Sequence, residues 1–199
     1  TSTQIGYLNL PYFLSALLAL KLAPAVSKRL GKKVGGMTVL GLSFAFAPLP
    51  FILRLFDLFP ENGTAMLFWT LIVFNTVEVT LIIAASALVS AMIADVVEDS
   101  EIKTGRRSEG IFFAANSFAQ KAVNGLGVVV AGQILAIIQF PTGAKPGEIP
   151  SETVDSLAIY YIPVILVFYV VALSILSLYR INREGHEANL QQLENRRPG

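Results

Sequence analysis

Apolar and polar residues alternate along this chain in blocks rather than at the period of a strand or a single amphipathic helix. Five apolar stretches stand out: Ile5–Val26, Gly36–Leu53, Ala65–Ala94, Gly110–Phe140 and Leu157–Tyr179. Each meets the length of roughly 17–25 residues that a helix needs to cross a bilayer. The alternating ten-residue segments of a membrane barrel are absent, so the spans are predicted to be helices. Pro11 and Pro24 are expected to kink or end the first, and Pro48 and Pro50 to break the second near its end. Gly36, Gly41 and Ala45 have close-packing spacing, as do Gly125, Gly127 and Gly132. The predicted fold class is therefore all-α, a polytopic membrane helix bundle of five transmembrane helices.

Composition supports lipid over a large water-soluble core. Hydrophobic residues make up 54% and charged residues 15%, with a mean hydropathy of +0.62, against about 25% charged in ordinary soluble domains. A net charge of +1 gives no electrostatic case for nucleic acid. With no Cys and one His, His186, thiol catalysis, disulfides and a Cys/His metal site are excluded. No catalytic residue, metal ligand or cofactor is expected. The chain opens at Thr1 rather than Met, close before an apolar segment, and is expected to be a piece of a longer protein.

Charge sorts by loop. Eleven of the 15 basic residues fall after odd-numbered segments: Lys28, Arg29, Lys32 and Lys33, then Lys103, Arg106 and Arg107, then Arg180, Arg183, Arg196 and Arg197. The positive-inside rule makes that side cytoplasmic, with the N-terminus outside and the C-terminus inside. Residues 1–180 are read as a partial C-terminal transmembrane bundle, and 181–199 as a cytoplasmic tail with a short helix around His186 to Leu193. The KRLGKK turn (28–33) is expected to set topology alone.

Polar groups inside the apolar stretches are the candidate functional residues. Asn116, Ser117, Gln120, Lys121 and Asn124 recur at intervals of three and four, which places them on one helix face. Lys121 lies near mid-bilayer, where snorkelling is difficult and ionisable groups mark substrate or ion paths. Glu78 and Asn75 lie at similar depth in the third segment, and Glu78 is a candidate partner for Lys121. The inner half of that segment, AASALVSAMIAD, is small-residue rich, for close helix contact or for a substrate. The stretch Asp95–Glu109 carries five acids and three bases. It is read as a charged loop in which Asp95, Arg106, Arg107 and Glu109 form a breakable ion-pair latch.

The segments A-D-V-V-E-D-S-E (94–101), K-T-G-R-R-S-E-G (103–110) and F-A-Q-K (118–121) carry a resemblance. It extends through G-E-I-P-S-E-T (147–153) and Y-R-I-N-R-E-G-H-E (179–187). The sequence resembles the glycoside–pentoside–hexuronide:cation symporters, the melibiose-carrier branch of the major facilitator superfamily. The resemblance implies helices 8–12 of a twelve-helix carrier in a bacterial inner membrane. It implies Lys121 beside the cation and substrate sites, and Asp95, Arg107 and Glu109 in a cytoplasmic network holding the outward-facing state. It places the cation-binding carboxylates in an N-terminal half, with Na⁺ or H⁺ as coupling ion. The partners would be that half, the lipid bilayer and a small solute. An aromatic that sugar carriers can offer on the tenth helix has no counterpart in Ala84–Ala94. The expected function is cation-coupled solute symport by alternating access. The alternatives are a lipid or other amphiphile carrier of the same fold, a scaffold, or a membrane enzyme. An acid–base enzyme site at Glu78 and Asp95 fails on distance: 17 residues of helix separate them by about 25 Å.

Overall fold

The computed structural model describes residues 10–61, 63–143, 149–181, 185, 189 and 192. Its helices are α1 (Leu10–Phe46), α2 (Leu49–Leu55), α3 (Ala65–Thr104), α4 (Glu109–Ile137) and α5 (Ser151–Ser177). The described residues contain no strand. Among the described residues four stretches are long and apolar enough to cross a membrane: Pro11–Leu55, Ala65–Thr104, Glu109–Ile137 and Ser151–Ser177. The first and second segments thus run together, which differs from five separate helices, but α1 is two arms. At Gly31 the backbone takes φ 77° and ψ 168°, a region open essentially only to glycine. The arms fold back on each other, because Ala19, Ala23 and Val39 share one buried cluster. In an unbroken helix residues 19 and 39 would be about 30 Å apart. Five apolar arms therefore cross the bundle.

The breaks follow the sequence. Pro48 and Pro50 end the second arm at Phe46 and restart the chain as the short α2. Thr64 opens α3 by accepting a hydrogen bond from the Leu67 N–H at 3.2 Å. At its other end Gly105, at φ 69°, closes α3 with its N–H donating to the Glu101 carbonyl at 2.8 Å. The helix therefore runs through most of the stretch predicted to be a charged loop. Only residues 105–108 are non-helical there, since nothing before Gly105 breaks the α-helical pattern. At 40 residues α3 is about 60 Å long, twice the hydrocarbon thickness of a bilayer, so its charged end stands outside the slab.

The core is the seam between α1 and α3. Ala84, Ala85 and Leu88 pack against Ala19, Ala23 and Val39. The small side chains of AASALVSAMIAD therefore serve helix contact on this face. Ser15, fully buried, donates to the Thr76 carbonyl of α3 at 2.9 Å. Gly36 lies where a Cβ would meet Met92, Leu176 and Leu88 at 3.7–3.9 Å, at the meeting point of α1, α3 and α5. Gly41, Gly125, Gly127 and Gly132 have nothing within 4 Å of that position, and Ala45 is exposed, so the spacing of these residues marks no contact among the described residues. Apolar side chains cover the outside: Phe13, Leu20, Val128, Val170 and Ile175 are each more than 60% exposed. That surface is costly in water and favourable in lipid.

Candidate functional site

Polar residues from three parts of the chain meet at one end of the bundle. Asp95 on α3 is only 2% exposed. One of its oxygens accepts from Lys32 Nζ at 2.5 Å and the other from the Tyr179 hydroxyl at 2.6 Å. Next to them Lys33 Nζ donates to the Ser177 carbonyl at 2.7 Å, where the last turn of α5 exposes acceptors and the negative end of its dipole. The Gly31 turn, α3 and the end of α5 are thus fastened by one buried carboxylate and one capping lysine. Burial, followed by the hydrogen bond to Asp95 and the negative charges of Asp95 and Glu98, holds the Tyr179 phenol well above its ordinary range.

The expected single latch is two groups. Arg107 pairs locally, with Glu109 at 3.1 Å and Glu101 at 3.6 Å, and is half exposed. Asp99 and Lys103 form an (i, i+4) pair at 2.6 Å on the surface of α3. The backbone N–H of Arg106 donates to Thr104 Oγ1, and its side chain makes no ion pair among the described residues. Asp95 therefore does not join Arg107 and Glu109. Its partners come from elements distant in sequence. The KRLGKK turn also does more than set topology, because Lys32 and Lys33 make specific contacts.

At membrane depth the two polar sets are placed differently. The stripe on α4 faces outward: Ser117, Gln120, Lys121 and Asn124 are exposed and Asn116 is intermediate. Helix α4 touches α3 and α5 only sparsely and has a single buried residue, Ile134. Lys121 makes no ion pair with Glu78 or with any other described residue. Glu78 is half-buried on α3 and close enough to Tyr161 and Tyr169 of α5 for its charge to act on both. Aromatic rings surround this level. Phe44 stacks on Tyr169 at 3.8 Å, Phe51 packs against Tyr161, and Phe46 meets Phe74, one turn before Glu78. Asn75 Oδ1 is buried without a hydrogen-bond partner.

At the opposite end Arg54 and Asp155 approach at 3.8 Å across a cleft of about 480 Å³, lined also by Asp57, Glu61 and Ser151. Among the described residues Lys32 and Lys33 therefore lie at the end opposite Arg54 and Asp155. Lys32 and Tyr179 were missed as site residues. The one available signal was positional, since each lies within four residues of a segment end on the same side as Asp95. His186 and most of the tail lie outside the described residues, as does part of the 147–153 loop.

The sequence matches the family described as MFS/sugar transport protein over residues 1–183. It is similar to the putative glycoside/cation symporter YagG of Escherichia coli (strain K12), with 32% identity over 102 residues, covering 51% of this chain and 22% of that protein. An uncharacterized symporter of Synechocystis sp. is 31% identical over 140 residues, 68% of this chain and 25% of its own length. The uncharacterized symporter YjmB of Bacillus subtilis (strain 168) is 24% identical over 195 residues, 95% of this chain and 38% of that protein. The chain thus spans between 22% and 38% of the length of these relatives.

Proposed function

This chain belongs to the MFS/sugar transport protein family, a family of carriers rather than enzymes, and from that premise we propose that it forms the C-terminal five-helix part of a cation-coupled symporter. Residues 1–180 are the partial bundle and 181–199 its tail. The cargo is a sugar or related small solute, and the gradient is of Na⁺ or H⁺. The glycoside/cation symporter named among its relatives supports that class of cargo. Transport proceeds by alternating access, with an N-terminal half supplying the opposite wall and most of the ion ligands. The basic end carrying Lys32 and Asp95 is cytoplasmic, in a bacterial inner membrane.

The observation that carries this reading is the polar face of α4. Lys121 lies 12 residues into the helix, about 18 Å from its start, with Asn116, Ser117, Gln120 and Asn124 on the same side. An ammonium held at that depth is costly unless water, an ion or a polar partner meets it. Nothing described in this chain does. The face is a wall of the path, completed by the other half, and Lys121 senses electrostatically whether the ion and solute are bound. Asn75 and Glu78 line the same bundle on the side of α3 and α5.

Asp95, Lys32 and Tyr179 hold the cytoplasmic ends of α1, α3 and α5 together as one body, while Arg106, Arg107 and Glu109 shape the short link to α4. That arrangement lets α4 shift against the rest when the facing state changes. Lys121→Ala in the full-length protein tests the reading. Gradient-driven accumulation should fall by about tenfold or more, equivalent to at least ~1.4 kcal/mol, with normal expression. Wild-type accumulation by that variant removes Lys121 from the mechanism.

A further inference from the structure

Glu78 is the one carboxylate set deep in the apolar part of α3, 13 residues and about 20 Å from the helix start. It makes no ion pair and no hydrogen bond among the described residues. The titratable groups facing it are the phenols of Tyr161 and Tyr169 on α5. On α1 the titratable Tyr12 and Lys21 are exposed and neither pairs with it, while on α4 Lys121 is exposed and unpaired with it. Among the described residues no cation pairs with it and no donor bonds to it, so an ionised carboxylate there would carry an uncompensated charge.

Three residues earlier, on the same helix face, stands the complementary defect. Asn75 Oδ1 is a buried acceptor with no donor. Side chains at i and i+3 of a helix are neighbours. An ionised carboxylate only accepts, whereas a protonated one carries an O–H donor. One proton would satisfy both residues. We infer that Glu78 is a proton-binding site within the bundle, its protonated carboxyl donating to Asn75 Oδ1. The occupant is a proton rather than a metal ion, because one carboxyl and one amide oxygen among aromatic rings cannot replace a hydration shell.

The inference rests on the carrier reading above and adds a second titrating group to it, separate from the α4 face. The proton comes from water at whichever mouth is open and returns to water, so the carrier exchanges a proton as it changes state.

Infrared difference spectroscopy of the full-length protein in lipid, acidic minus alkaline buffer without sodium, tests it. The wild-type protein should show the carbonyl band of a protonated, water-poor carboxylic acid. Glu78→Gln should lose that band. Asn75→Leu should keep it at higher frequency, because the hydrogen bond to the carbonyl partner is gone, and it decides the matter should Glu78→Gln fail to fold. A band that persists unchanged in Glu78→Gln, that stays at one frequency in Asn75→Leu, or that sodium abolishes overturns the inference. The readout does not depend on transport. A Glu78 band in a protein that moves no solute overturns the carrier reading alone, and a working carrier without the band overturns this inference alone.

Discussion

Helices α3 and α4 are both long and apolar and both carry polar side chains, yet only α3 buries any of them among the described residues. Thr80, Ala84, Ala85, Leu88 and Asp95 are buried on α3, whereas Ile134 is the one buried residue on α4. The difference lies in what each helix packs against. Small residues of α3 seat it on the α1 hairpin, and its charged end is held by Lys32 and Tyr179. Helix α4 has glycines with open space around them and a polar face with no partner here. The Asp95 carboxylate of α3 is met by Lys32 and Tyr179, while the polar face of α4 meets no partner among the described residues.

Mutations at the two places should separate these roles. Lys32→Ala should have the largest effect on stability. It takes the ammonium away from the buried Asp95 carboxylate, and loss of one partner from a buried pair costs about 3–5 kcal/mol. Because Lys32 is itself 29% exposed, about 3 kcal/mol is expected in denaturant unfolding of the full-length protein in detergent. A change under about 1 kcal/mol would reduce the fastening to a surface contact.

Tyr179→Phe should come next, at about 1.5 kcal/mol, the lower range for a hydrogen bond to a charged group. It also carries a pH signature. The neutral phenol donates to Asp95 and the phenolate cannot, so the folded protein holds the Tyr179 proton above its ordinary value of 10.0. That stabilisation is fully present below pH 10.0 and is lost as pH rises toward the raised folded value. Wild-type stability should therefore fall more steeply than that of Tyr179→Phe in alkaline buffer. Parallel pH profiles would dismiss the hydrogen bond. Arg107→Ala, whose carboxylate partners are local and solvated, should shift the same unfolding curve by less than about 0.5 kcal/mol. A larger loss would tie Arg107 to the buried cluster.

Much of this contrast was legible in the residues. Segment length and the Gly31, Pro48 and Pro50 punctuation located the arms, because each acts through local backbone geometry. The interval of three and four put Asn116, Ser117, Gln120, Lys121 and Asn124 on one face for the same reason. The partners of Asp95 were not legible. Lys32 is 63 residues away and Tyr179 is 84, and which end-of-helix side chains meet depends on how the helices pack. Helix α3 outran its expected end because charge alone does not stop a helix. Glycine at φ 69° did, eleven residues after the apolar pattern ended. The proposed pair of Lys121 with Glu78 failed because similar depth does not imply a shared face.

This chain contains no cysteine, so α4 is open to a direct test in a full-length carrier whose other cysteines, if present, are replaced by serine. Single cysteines at Asn116, Gln120 and Asn124, and on the opposite face at Ala122 and Leu126, can be treated with a water-soluble maleimide in intact membranes. Reaction at the first three, slowed by solute, with none at Ala122 and Leu126, is the outcome expected of a wet transport wall. Equal reaction on both faces, or reaction confined to Ala122 and Leu126, would contradict it.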